Sequence, residues 1–204
     1  MNEKIDIHTI LKAEKDVQMD SSYGAEDRLT STFFNRFPAN TDETIVAAKV
    51  AIIDTTNNTN ISMYKSRLSL CDVAKIIVDI EDFDKRVESG DVNLVEEIAR
   101  TSKETYGVNL FSFASKYCCY HNVHVYEKDD YSIFDNIVKK NLPDYCDENL
   151  KITMNKIESW RNKFDYTSFN TLIGKILDAN KITIPNRRRA FDHFLWYSNR
   201  TIGK

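Results

Sequence analysis

Glycine and proline are scarce, with five and three in 204 residues, so breaks in regular structure should be few and connections short. No stretch approaches the roughly 18 consecutive apolar residues of a membrane helix. The opening MNEKIDIHTILKAEKD is charged and has no apolar signal core, so a cytoplasmic location is expected, with no membrane partner. The four cysteines, Cys71, Cys118, Cys119 and Cys146, have no framework spacing, which points to reduced thiols rather than disulfides. A Gly-rich phosphate loop, a Ser-His-Asp signal and a metalloprotease motif are all missing. The formal charge of −3 argues against a surface densely coated with nucleic acid. A single basic face remains compatible with it, because the net charge is a sum while binding uses one surface.

What is present is helical. Apolar residues recur at three- and four-residue steps, and the chain is 42% hydrophobic and 29% charged, the balance of a globular protein. The spacing predicts an all-α fold of about nine helices, either one domain over residues 1–204 or two interleaved lobes. Asn40-Thr41-Asp42-Glu43 should cap a helix through TIVAAKVAIID, which is apolar on nearly all sides and so expected at the centre of the core. Val73, Ile76, Ile77, Ile80, Phe83 and Val87 trace one face of a single long helix. Asn109 can cap the segment that follows, Asp135 can cap IFDNIVKKNL, and Thr167 or Ser168 can cap 168–177. An amphipathic segment over 148–163 and another over 187–197 complete the set.

The stretch FSFASKYCCYHN places Lys116 among aromatic, small and sulphur-bearing residues. A lysine amine becomes a nucleophile only after losing its proton, and apolar surroundings favour that loss. Nineteen residues later Asp135 follows Ile133 and Phe134. A carboxylate at a helix start keeps its charge and can stabilise a developing cation. The plainer alternative makes Lys116 the wet side of an amphipathic helix and Asp135 a cap.

Leu110-x-Ser112-Phe113-Ala114-Ser115-Lys116, followed by Ile133-Phe134-Asp135 opening a helix, resembles the helix-hairpin-helix DNA glycosylases, and within them the 8-oxoguanine DNA glycosylase branch. There a hairpin of the type L-P-G-V-G-T-K ends in a catalytic lysine, and a P-V-D motif supplies an aspartate at the same spacing. TTNNTNI over residues 55–61 is similar to that family's Asn- or Gln-rich loop. Together the matched pieces cover about the middle half of the chain. Ser112, Ala114 and Ile133 stand where the family has glycine, glycine and proline.

The resemblance implies a compact helical glycosylase, with or without AP-lyase activity, that needs no cofactor and has DNA as its partner. Lys116 would be the nucleophile and Asp135 the electrostatic partner. Asn58 or Asn60 would fill the space left by the extruded base, and Ser112, Ala114 and Ser115 would grip a phosphate. Tyr120, one turn beyond the lysine, would flank the base. Read from the residues alone, Arg187, Arg188 and Arg189, with Arg200 and Lys204 close behind, are candidates for a basic face. Trp160, Trp196 and Tyr197 are expected as core anchors, although the helix RRRAFDHFLWY brings arginines and aromatics together as a backbone contact and base pocket require. The alternative is a helical module that binds nucleic acid or protein without catalysis. Cys118, Cys119, His121 and His124 are dense enough to suggest a metal site, but adjacent cysteines point apart and no second ligand pair exists, so no metal is expected. A monomer is the favoured state.

Overall fold

The computed structural model describes residues 5–146 and 152–198; Arg200, Lys204 and the start of the segment expected over 148–163 lie outside the described residues. It is all-α. Among the described residues eleven α-helices follow one another: α1 (Ile7–Met19), α2 (Tyr23–Arg36), α3 (Glu43–Asn57), α4 (Leu70–Val78), α5 (Phe83–Glu88), α6 (Asn93–Tyr106), α7 (Phe111–Tyr126), α8 (Asn136–Asn141), α9 (Met154–Lys163), α10 (Tyr166–Ala179) and α11 (Arg187–Ser198). Single 3-10 turns at Ile61–Tyr64 and Leu142–Tyr145 join α3 to α4 and extend α8. No described helix is long and apolar enough to cross a membrane.

The helix count exceeds the expected nine in part because the single helix expected from Val73 to Val87 is two. Asp82 adopts a left-handed backbone (φ 52°) between α4 and α5, which breaks the hydrogen-bond ladder while Ile80 and Phe83 stay buried. Caps differ in detail. Asp42, not Asn40 or Thr41, caps α3 by accepting from the Thr44 and Ile45 amides. Asp165, not Thr167 or Ser168, caps α10. Asn109 sits one residue before the α7 cap, and its side chain accepts from the Phe111 amide at 2.9 Å.

The central helix is α7 rather than α3. Every residue of α7 from Phe113 to Val123 is buried, whereas α3 leaves Ala47, Ala48 and Ala51 half-buried. A helix buried all round must satisfy its polar side chains internally. Asn122 spans to the Val87 carbonyl and the Asp130 carboxylate at 2.9 and 3.0 Å. Tyr117 donates to Asn40, whose amide also meets His121. Lys49, fully buried in α3, donates to the Asn40 side chain at 3.0 Å, and burial lowers its amine to about 8. The thiols of Cys118 and Cys119 are pushed up by burial, Cys119 to about 12, which suits core packing and not thiolate chemistry. The buried apolar residues from Ile5 to Leu195 belong to one cluster, and α1 packs along α11.

His124, just beyond the fully buried stretch of α7, sets an acid limit. Burial lowers His124 from 6.5 to about 4, while its ring stacks on Tyr120 and its Nε2 has no partner. The folded state therefore binds fewer protons than the unfolded chain below pH 6.5. Stability from this group is complete above pH 6.5 and is lost as pH falls toward 4. His124→Phe should keep the stack and remove the titration. Its stability relative to wild type is expected to rise by about 2 kcal/mol between pH 7 and 4.5, measured by urea unfolding at each pH. A constant difference across that range would show that His124 does not titrate on unfolding.

Candidate active site

A cleft of about 560 Å³ opens between the α3–α4 connection, the start of α7, the start of α8 and α11. Local sequence explains its walls. At the end of α3, Asn58 and Asn60 both adopt left-handed backbone (φ 48° and 59°), a conformation asparagine tolerates better than most residues. Asp54 pins the loop from within by accepting from Thr59 Oγ1 and the Ile61 amide, both at 2.7 Å, and from the Ser62 amide at 3.2 Å. Asn58 and Asn60 are thereby held at the cleft with their side chains exposed.

The opposite wall comes from the turn between α6 and α7 and from the extended segment before α8. Gly107 ends α6 with a left-handed backbone (φ 72°), and the chain re-enters a helix four residues later. Residues 131–134 are all buried and held to α7 by the Ser115 hydroxyl, which accepts from the Phe134 amide at 2.9 Å. Phe134 packs edge-on against Phe111 and Phe169. That clamp fixes Asp135 opposite the second turn of α7, where Lys116 projects.

Lys116 is buried, with 5% of its surface exposed, yet it lines the cleft. Its Nζ donates to the Asn57 carbonyl at 3.2 Å and stands 3.5 Å from Asp135 Oδ2. Asp135 divides its oxygens between tasks. Oδ1 accepts from the Ile137 and Val138 amides at 2.9 Å each, capping α8, and Oδ2 faces the lysine. The cap and the electrostatic partner are the same carboxylate, so the two readings of Asp135 do not exclude each other.

Other expected contacts are placed differently. Ala114 and Ser115 are fully buried, so only Ser112 of the three hairpin residues lines the cleft. Helix α7 begins at Phe111, and the next turn has already rotated into the core. Tyr120 is 2% exposed and does not line the main cleft; its hydroxyl donates to the Asn57 side chain and its ring lies beneath the Arg189 guanidinium.

The three arginines of α11 do not form an open basic face. Arg187 pairs with Asp178 at 2.6 Å, and Arg188 donates to Ser132 Oγ and the Asn170 carbonyl at 2.8 Å each. Arg189 is buried and paired with Asp27 and Asp192 at 2.9 and 2.5 Å. Each has an internal acceptor set that periodicity does not show.

The cleft also contains Tyr23, Arg161 and Asp192, which local sequence does not single out, together with Asn57 of the Asn loop and Trp196 of the last helix. Trp196 stacks on Tyr23 with centroids 4.6 Å apart, so α2 and α11 meet at the cleft. Burial pushes the Asp192 carboxyl up, against the pull of Arg189. Asp192 and Trp196 lie four apart on α11, a spacing that marks one helix face once the helix is known to border a cleft. Among the described residues, no group of three or more potential ligands is close enough to hold a metal ion.

Comparison with known proteins gives one family. Its model, HI_0787_N, is described as an N-terminal domain and matches residues 7–130. An uncharacterized protein of Haemophilus influenzae is 28% identical over 135 residues, covering 64% of this chain and 57% of that relative. The chain thus spans just over half the length of the curated relative. No solved structure matches. The matched segment supplies the Asn loop and Lys116, and it ends before Asp135.

Proposed function

We propose, for a chain that belongs to the HI_0787_N family of N-terminal domains, that it is a DNA base-excision glycosylase with an associated lyase step. The observation that carries this reading is the shared carboxylate of Asp135, one oxygen fixed by a helix start and the other 3.5 Å from a buried lysine amine inside a cleft. A glycosidic carbon cannot be reached inside the base stack, so the target nucleotide must leave the helix. The cleft volume of about 560 Å³ lies within the range of small-molecule sites of roughly 300–1,000 Å³.

Asn58 and Asn60, exposed on the rim, fill the space vacated in the duplex. Asp135 stabilises the cationic sugar as the bond to the base breaks and the base departs with the bonding electrons. Lys116, its ammonium proton having passed to the departing base, attacks C1′. A second amine proton goes to O4′ as the sugar ring opens to a protonated Schiff base, and loss of the C2′ proton to water then expels the 3′ phosphate. Water then hydrolyses the imine and frees the lysine. Ser112, at the start of a 16-residue helix, would meet a backbone phosphate.

Incision of a labelled duplex with a single abasic site, and of duplexes with one modified base, tests the proposal. Strand cutting at the abasic site is expected from wild type. Binding of DNA without any cutting would favour the second reading, a non-catalytic binder, in which the contacts of Lys116 to Asn57 and Asp135 are only a structural ion pair.

Because the arginines of α11 are paired within the chain, the phosphate contacts of this reading would fall on the rim. Lys65 and Arg67 are exposed beside the cleft residue Tyr64, and the Arg67 guanidinium lies 5.8 Å from that ring. Replacing both with serine is expected to reduce the slope of log affinity against log salt by about two, while Arg187→Ser leaves it unchanged. An unaltered slope in the double variant would place the phosphate track elsewhere.

A further inference from the structure

Four groups from three helices converge on the guanidinium of Arg189. Nη1 donates to Asp192 Oδ2 at 2.5 Å, and Nη2 donates to Asp27 Oδ1 at 2.9 Å and the Tyr23 hydroxyl at 3.1 Å. The guanidinium carbon lies 4.9 Å from the centroid of Tyr120. All of this happens with only 6% of the side chain exposed. Arginine suits such a position because its planar fork serves several acceptors at once while its face covers a ring.

From that hub, contacts lead to the reacting groups on both sides. Tyr120, whose ring Arg189 covers, donates its hydroxyl to the Asn57 side chain, and the Asn57 carbonyl accepts from Lys116 Nζ at 3.2 Å. Asp192 lines the cleft and lies within electrostatic reach of both Asp135 and Lys116. Tyr23, held through its hydroxyl, stacks on Trp196 of the cleft wall. Asp27 is held below the usual carboxylate range: burial pushes it up, and Arg189, together with His193 and His124, more than offsets that.

We propose that Arg189 is a positioning residue for the Lys116–Asp135 pair: it fixes the Tyr120–Asn57 arm that orients the lysine and holds Asp192 and Tyr23 against the cleft. The inference rests on the reading of the cleft as a base-excision site, and it makes α2 part of that site. Arg189 touches no reacting atom. Its effect is geometric, and misplacement of a reacting group by about 1 Å can cost on the order of 100-fold in rate.

Arg189→Lys keeps the cation but cannot reach Asp192, Asp27 and Tyr23 together. The test compares it with wild type in two assays on the full chain. One is the single-turnover rate of borohydride trapping on an abasic duplex, with affinity measured alongside. The other needs no DNA: the rate of reductive methylation of Lys116 by formaldehyde, read by peptide mass spectrometry against the exposed Lys85 as internal control.

A folded Arg189→Lys is expected to lose about tenfold or more in trapping rate, with affinity within about threefold of wild type. Its Lys116 labelling should change by at least about threefold relative to Lys85. Tyr120→Phe, which keeps the ring and removes the hydroxyl, should shift labelling the same way.

Unchanged labelling and unchanged trapping would overturn the inference. So would a loss of affinity with a flatter salt slope, which would make Arg189 a phosphate contact. If Arg189→Lys does not fold, Asp27→Ala removes one partner while leaving the cation paired to Asp192, and the same two readouts decide. If wild type forms no adduct, the base-excision reading fails, and the labelling assay still decides whether Arg189 positions Lys116.

Discussion

Asp135→Asn is expected to slow base release by about 10²–10³-fold while leaving the melting temperature close to that of wild type. The asymmetry follows from the division of labour between the carboxylate oxygens. Oδ1 accepts from the Ile137 and Val138 amides, and asparagine, as good a cap as aspartate, keeps an oxygen there. Oδ2 faces Lys116 at 3.5 Å, and in the variant an uncharged amide nitrogen takes its place. The negative charge that would face a cationic sugar is gone, while the helix start survives. Single-turnover release and thermal unfolding should be read on one preparation. Normal release would leave Asp135 a cap and nothing more. A large fall in melting temperature would show instead that its charge holds the fold.

Lys116→Gln is expected to abolish strand cutting altogether. An amide nitrogen is no nucleophile toward C1′, and no other described lysine lines the cleft. Glutamine can still donate to the Asn57 carbonyl, which Lys116 reaches at 3.2 Å, so the cost to folding should be about 1 kcal/mol. Affinity for DNA should stay within about tenfold, because one neutralised phosphate contact is worth about 1 kcal/mol. Gel incision and a binding isotherm on the same variant separate these effects. Cutting that persists at the wild-type rate would assign the nucleophile elsewhere. An affinity loss of several hundredfold would make Lys116 chiefly a contact to the backbone.

Local chemistry made part of this site legible. Lys116 stands out as a cation inside an apolar run, Asp135 as a carboxylate at a helix start, and Asn58 and Asn60 as residues suited to left-handed turns; all of them line the cleft. The rest depended on long-range pairing. Three successive arginines look like a basic surface until Asp27, 162 positions earlier, is found against Arg189. Ala114 and Ser115 look like hairpin residues until the first turn of α7 carries them into the core, where Ser115 anchors the segment leading to Asp135. Tyr120 has the spacing of a base-stacking residue, and its burial gives it to Asn57 instead. Helix α3, uniformly apolar in sequence, is less central than α7, because the small side chains of Ala47, Ala48 and Ala51 leave one side half-open. Periodicity reports which face of a helix is apolar and carries no information about which distant residue meets it.

Borohydride reduction of wild type mixed with a duplex carrying one abasic site is the most direct test of lysine-based excision chemistry. The reagent converts a transient Schiff base into a permanent bond, and peptide mapping of the adduct names the attacking residue. The expected result is a single cross-linked species carrying the sugar on Lys116. No adduct under conditions where DNA is bound, or an adduct on another lysine or an amino terminus, would contradict the assignment of Lys116 as the nucleophile.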